Sequence, residues 1–477
     1  MKHQTIYNQK TALSISFLFA AIVFGFSYDF GMFWDNVLFA SKMGNQIYEN
    51  GLFNWTMPNE FDPGHPPFLG FLLAIFWTIF GHSLWVSHLL MFPFIVGIIF
   101  QLQKLLQVYV KNTKTRYFGL LLILADPTLL ASFVLVNPET IIIFFFLLAV
   151  NGILYHQKKW KFLGLLFLSI ITFRSMMLFA GIFLFQMLQS LIIHRKSFRQ
   201  TLNLKILSTY LLASLPGVIF VIWRLTSKGW LQTHANSPWS SYWQLPSFTE
   251  FLKNIAVLIH RYIDFGRVFL LLFLVISLYY YRKRIKHHPQ YPQLLLLSFS
   301  SVFFVIIAVL FSTNAFGHRY FIVSYISFTL LTFLIIYQFI QYKKTVYTLL
   351  FLGLLTGNLW VYPEKIAQGW DATLAHVPYH SLRVDAINFL DQKKISIQEV
   401  GTFFPNYNPI DEIELNGDQR SFSAFNKENN FVLYANVYNL DNETYENLHK
   451  NFEEIQQFKK WNIYVSIFKK KTPPPRD

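Results

Sequence analysis

NPETIIIFFFLLAVNGILYHQKKWKFLGLLFLSIITFRSM, residues 137–176, carries in one stretch the pattern that repeats along most of this chain. A tight polar turn, Asn137-Pro138-Glu139, opens the apolar run 140–156, which ends at Lys158, Lys159 and Lys161. A second run, 162–173, ends at Arg174, and a third, 176–193, ends at Arg195, Lys196 and Arg199. A bilayer crossing needs about 20 mainly apolar residues, and basic residues mark the cytoplasmic loops between crossings. The run 162–173 is short for a crossing. Merging it with 176–193 would put basic loops on opposite faces of the membrane, so the reading keeps two spans.

Working outward, the same rhythm predicts spans at 12–28, 83–105 and 118–136 before this stretch. After it come 206–225, 268–281, 294–312, 320–337 and 346–361, about eleven in all. The first follows Lys2 and Lys10 and resembles a signal peptide. It lacks a clear small-residue cleavage site and is read as a retained helix. Basic clusters at 104–116, 158–161, 195–199, 282–286 and 343–344 fall on one side. The alternate loops hold few Lys or Arg. This predicts a cytoplasmic N-terminus in an inner, or plasma, membrane and an extracytoplasmic C-terminus.

Composition agrees with that reading. Hydrophobic residues make up 53% of the chain and charged residues 14%, against about 25% charged in soluble proteins. Fifty-three phenylalanines suit a hydrocarbon solvent, and the absence of cysteine excludes disulfides and thiolate chemistry. A net charge of +15 that sits in short clusters between apolar runs reports topology and not nucleic-acid binding.

The predicted domains are therefore a membrane domain, 1–361, and a small extracytoplasmic α/β domain, 362–468, with a disordered tail, 469–477. In the membrane domain, the external loop 32–82 contains a juxtamembrane helix at 66–80, too short to cross. In the α/β domain, 379–393 reads as a helix and 400–404, 431–437 and 461–468 as strands. Residues 442–460 read as a charged helix with Leu448, Phe452, Ile455 and Phe458 on one face.

Ionisable residues at or near membrane depth are the candidates for chemistry. Asp35, in Phe33-Trp34-Asp35-Asn36, is either a general base among aromatics or a helix cap. Glu60, Asp62 and His65 crowd the approach to Pro66-Pro67 and fit no standard metal-ligand spacing. Glu139 is a first-turn acid, and Asp126-Pro127 kinks or ends its span. Arg174 interrupts an apolar stretch and needs an anionic partner, a carboxylate or a phosphate. Arg319-Tyr320 opens a late span, as a phosphate contact or an interface anchor.

In order and spacing these positions resemble the GT-C glycosyltransferases of the protein-O-mannosyltransferase type, including the bacterial aminoarabinose transferases that modify lipid A. The resemblance covers about residues 12–340. It rests on the acid after the first span (Asp35), His65-Pro66-Pro67, the Asn-Pro-Glu turn (Glu139), Arg174 and Arg319-Tyr320. It implies transfer of a sugar from a polyprenyl-phosphate-linked donor to a glycan, lipid or protein acceptor at the outer face of the membrane. In an inverting displacement, Asp35 would take the acceptor proton. Arg174, Arg319 and His65, with Tyr320, would hold the leaving phosphate, and Glu139 would orient the acceptor or Arg174. Family members commonly carry Asp-Glu where this chain has Asp35-Asn36. One carboxylate fewer weakens the case for a divalent metal and leaves the cofactor open. A transporter or lipid flippase, or a non-catalytic assembly subunit, is the rival reading of the same intramembrane charges.

Overall fold

The structure, a computed structural model, describes residues 2–232, 244–288 and 290–471. Residues 233–243, in the segment 226–264 expected as an external loop between the spans 206–225 and 268–281, and the end of the expected tail (472–477) lie outside the described residues.

An apolar helix occupies each of the expected spans, but their lengths differ. Six helices among the described residues are long and apolar enough to cross a membrane: Gln9–Ser27, Leu84–Tyr109, Phe173–Ile193, Leu204–Lys228, Gln290–Leu310 and His318–Phe339. Two bent pairs raise the number to eight if each is one span. The remaining expected spans, Pro138–Leu154, Lys158–Leu168 and Lys343–Thr356, are shorter helices. Length and composition therefore support six to eight crossings where the sequence pattern predicts about eleven.

The reasons are local. In the expected span 118–136, Asp126 accepts hydrogen bonds from the Thr128 and Leu129 amides at 2.9 and 3.2 Å. Pro127 lacks an amide hydrogen to continue the preceding helix. The chain therefore bends by 78° between Thr113–Leu124 and Pro127–Val134. The second bend, 93°, separates Arg267–Tyr280 from Phe248–Ile263, a helix inside the expected external loop with no buried side chain. Its exposed Phe248, Leu252 and Ile259 suit a helix lying in the membrane interface.

Lys158–Leu168 has 11 residues, about 16 Å of helix and roughly half the hydrocarbon thickness. It is held by close packing against Pro138–Leu154. A Cβ on Gly164 would lie 2.6 Å from the Ala149 nitrogen and 2.7 Å from the Phe145 oxygen. Only a glycine lets the two backbones approach this closely. A helix is present at Phe68–Phe80, entered through Pro67, where the sequence predicts one over 66–80.

His318–Phe339 is the central helix. Its apolar window is 89% buried, against 22% for the peripheral Gln9–Ser27 and Leu204–Lys228. Basic residues of successive helix connections lie near one another. Lys104 reaches Gln157, and Lys158 lies beside Lys205.

The C-terminal unit is a five-stranded sheet in the order β2-β1-β3-β5-β4. Its strands are β1 (Val400–Thr402), β2 (Ser423–Ala424), β3 (Phe431–Ala435), β4 (Phe452–Lys460) and β5 (Ile463–Lys470). The helix Pro378–Gln392 packs on it. One element differs from expectation. The helix over 442–460 ends at Asn451, and 452–460 is β4, paired antiparallel with β5. A bulge between Glu454 and Gln456 shifts the register, so apolar side chains in a strand mimic helical spacing. Lys469 and Lys470, expected in the tail, complete β5.

This unit docks on the loop after the first helix. The Met32 amide donates to the Ile413 carbonyl at 2.9 Å, and Lys42 pairs with Glu412 at 3.5 Å.

Candidate active site

Arg319 enters the centre of the fold on the 3-10 turn His318–Phe321, at the start of the central helix. Its guanidinium meets three carboxylates contributed by separate parts of the chain. Asp35 pairs with Nη2, Asp371 with Nη1 at 2.5 Å, and Glu139 lies 3.5 Å from Nε. Glu139 is shared with Arg174, whose Nη2 donates to it at 2.5 Å. The Arg174 guanidinium lies 4.2 Å from the centre of the Tyr320 ring.

Local sequence explains the placement. Asn137 accepts from the Thr140 amide at 2.9 Å and Pro138 fills the first helical position, which sets Glu139 in the first turn of its helix. Thr172 and Ser175 cap each other's backbone amides, which sets Arg174 in the first turn of Phe173–Leu188. Two helix starts thus bring an acid and a base to the same place.

The bonds leave specific capacity over. Arg174 Nη1 is buried with no hydrogen-bond partner among the described residues, and Arg319 Nε has only the long 3.5 Å approach of Glu139. Unfilled buried guanidinium donors are costly unless a ligand supplies acceptors. The carboxylates here are engaged by the Arg319 and Arg174 guanidinium groups, which a divalent cation would have to displace. Asp35 is the most open of the acids: its side chain is 39% exposed, against 5% for Glu139 and 15% for Asp371. The capping alternative for Asp35 is not what the structure shows. Its backbone carbonyl accepts from Leu38 and Phe39, while its carboxylate lies on Arg319.

His65 sits between the rings of Phe39 and Phe173, and its Nδ1 accepts from the Phe173 amide at 3.3 Å. Burial, then the charges of Arg174, Arg224 and Arg319, lower its pKa to about 3. The ring is therefore neutral with its proton on Nε2. Any help it gives a phosphate is a hydrogen bond from a neutral ring.

Other expected residues are placed elsewhere. Asn36 is buried and does not join the cluster. Glu60 is exposed on its loop. Asp62 is fully buried, accepts from the Gly64 amide at 2.9 Å and pairs with Arg224 at 3.0 Å, which ties the loop to Leu204–Lys228. Asp126 takes both arms of Arg267 at 2.7 Å besides capping its helix. Asp62 and Asp126 hold elements together.

Asp371 is the residue the sequence reading misses. It lies past the last apolar run, in a segment read as part of the soluble domain. The one signal was Trp370-Asp371, the same aromatic-acid pair as Trp34-Asp35. Burial raises the Asp371 pKa above the usual carboxylate value. The nearby Asp35 and Glu139 add to that rise, and Arg319 and Arg174 oppose it.

Among the described residues, His260, Asp264 and His318 bring three ligand atoms within 4.8 Å of one another. The group is knit as a hydrogen-bond network. Asp264 accepts from His318 at 2.9 Å, from Tyr362 and from the Phe265 amide. His318 Nδ1 has no partner among the described residues, whereas a metal-bound histidine normally anchors its second nitrogen. The donor set fits a structural network better than a metal.

No family model matches the chain, and no curated protein matches it. Solved structures do. ArnT from Cupriavidus metallidurans, bound to undecaprenyl phosphate, aligns over 95% of this chain and 97% of its own, with a TM-score of 0.53 and 11% identity. The apo form of that protein aligns over 96% and 98%, with a TM-score of 0.53 and 12% identity. The overall likeness that residue order suggested thus holds as a likeness of fold: from end to end, this chain is built like ArnT.

Proposed function

We propose that this chain is a membrane glycosyltransferase that moves a sugar from a polyprenyl-phosphate-linked donor to an acceptor at the extracytoplasmic face. The observation that carries the reading is the pair Arg174 and Arg319, fixed by Glu139 and Tyr320 yet left with buried unfilled donors. A phosphate oxygen supplies the missing acceptors, and planar guanidinium groups suit it. The ArnT likeness supports the lipid class, because that protein was solved with undecaprenyl phosphate.

In this mechanism Asp35, the open acid, takes the acceptor proton. The acceptor oxygen or nitrogen bonds to the sugar's anomeric carbon as the bond from that carbon to the phosphate oxygen breaks, with inversion. The electron pair leaves on the lipid phosphate. Arg174 and Arg319 stabilise that growing charge, and His65 adds a neutral donor from Nε2. Three carboxylates beside an incoming phosphate are unfavourable. Asp371, whose environment disfavours its charge, is the one that yields Arg319 Nη1 to the ligand.

The proposed orientation keeps the basic loops cytoplasmic and puts the arginine cluster outside, with residues 362–468 over it as an acceptor-selecting domain. No observation favours a transporter, flippase or assembly subunit, since the charged groups converge in one cluster around Arg319 and Arg174.

The test is release of free polyprenyl phosphate by purified protein in nanodiscs. The protein is supplied with polyprenyl-phosphate-linked sugars and cell-envelope extract as acceptor. The proposal expects release that needs both protein and extract. Release equal to a protein-free control refutes it.

A further inference from the structure

Behind the turn that carries Asp35 lies a cavity of about 850 Å³. Phe26 and Asp29 at the outer end of the first helix form one wall. The start of Pro378–Gln392 and the tip of the β4–β5 hairpin form others. None of Asp35, Glu139, Arg174, Arg319 or Asp371 lines it. An aromatic partition stands between. Phe30 stacks on His380 with ring centres 4.7 Å apart, and Phe33 stacks on His376 at 4.6 Å.

The lining is mostly apolar, with Phe26, Leu359, Val361, Val377 and Ile463 among it, and its few polar groups have a definite chemistry. Asp29 and Asp385 form no ion pair among the described residues, whereas Glu414 is held by Arg383. Lys460 is the single lining lysine, and no arginine lines the cavity. The surplus charge is negative, which disfavours a phosphate. His380 is 8% exposed and its Nε2 has no partner among the described residues. Burial holds this ring neutral, well below the ordinary histidine value, so it offers one donor and one acceptor. Trp461 stands at the hairpin tip with φ of 58° and is 77% exposed, an open aromatic face at the mouth.

We propose that this cavity binds a carbohydrate, neutral or amino-bearing, stacked on Trp461 and hydrogen-bonded through its hydroxyls to Asp29, Asp385 and His380. An aromatic plane with unpaired carboxylates matches a polyhydroxylated ring, which has apolar C–H faces and O–H edges. The volume falls in the range of small-molecule sites, about 300–1,000 Å³. Only the identification of this carbohydrate as the acceptor rests on the transferase reading. The binding does not.

The test reads binding alone. Saturation-transfer NMR is recorded on the full chain in nanodiscs with methyl 2-amino-2-deoxy-β-glucoside, and with glucose 1-phosphate as the anionic counterpart. The proposal expects saturable transfer to the amino sugar. Trp461→Ala and Asp385→Asn, both at exposed positions, should each reduce it at least five-fold with unchanged thermal unfolding. Asp35→Asn, which disables the proposed transfer, should leave it intact. No saturable transfer in the wild type overturns the proposal. So does transfer that survives both substitutions, or Trp461-dependent binding of glucose 1-phosphate.

Discussion

Replacing Arg174 with lysine separates charge from geometry at the proposed phosphate site. The native guanidinium does three things at once: Nη2 holds Glu139 at 2.5 Å, the plane lies on Tyr320 at 4.2 Å, and Nη1 remains free. An ammonium keeps the charge but has no plane, and drawn to Glu139 it cannot also reach a phosphate. One charge-assisted hydrogen bond contributes about 1.5–3 kcal/mol, which corresponds to roughly 10- to 150-fold in rate. Charge accumulates on the phosphate as it leaves, so the loss should fall more on kcat than on KM for the lipid donor. Alanine is the poorer test. Breaking a buried pair costs about 3–5 kcal/mol and threatens the fold. The assay is multiple-turnover release of polyprenyl phosphate in nanodiscs, with thermal unfolding as the check on folding. A folded Arg174→Lys protein with kcat and KM both within two-fold of wild type would refute the assignment of Nη1 to the phosphate.

Asp371→Asn should change pH behaviour. A carboxyl whose folded pKa is raised favours the folded state at low pH, and that contribution is lost as pH rises from its ordinary value through the raised one. The Tm of Asp371→Asn should therefore fall less than that of wild type from pH 4 upward, as read by thermal unfolding across buffers. Gly164→Val should destabilise by about 1–3 kcal/mol or more, because the added atoms meet the Phe145 and Ala149 backbones. An unchanged Tm would contradict the close approach of those helices. The chain has no cysteine, so Lys159→Cys and Lys393→Cys give clean topology probes. A membrane-impermeant maleimide applied to intact cells should label the second and spare the first, and the reverse would invert the proposed orientation.

The membrane character was legible because the relevant signal is local. Apolar runs bounded by Lys and Arg need no knowledge of packing, and a helix formed at every run. The juxtamembrane helix was legible for the same reason, from its length and Pro67. Span counting was less secure. The Asp126 cap with Pro127 is visible in sequence, but its consequence, a 78° bend, depends on what the two halves pack against. The short Lys158–Leu168 helix likewise depends on Gly164 facing Ala149.

In the candidate site, Asp35, Glu139, Arg174 and Arg319 were legible as candidates because a charge at membrane depth stands out against its neighbours. That they share one another as partners was not legible, since Asp35 and Arg319 are 284 residues apart. Asp371 was hidden by its surroundings, because an acid in a polar segment carries no anomaly. His65 stood out beside Pro66-Pro67, but its protonation state was not legible. Neutrality follows from burial among three arginines, which sequence spacing does not report. The helix read across 442–460 failed because a bulged strand and a helix share an apolar spacing over so few residues.

The most direct test of sugar transfer from a lipid phosphate does not require knowing the sugar. Mass spectrometry of lipids and envelope glycans is compared in cells lacking this protein, in cells given it back and in cells given Asp35→Asn. The account predicts a polyprenyl-phosphate-linked sugar that accumulates in the deletion, a glycan lighter by that same sugar, and rescue by wild type but not by Asp35→Asn. An Asp35→Asn protein, expressed and folded, that restores both the lipid and the glycan would contradict the account at its centre.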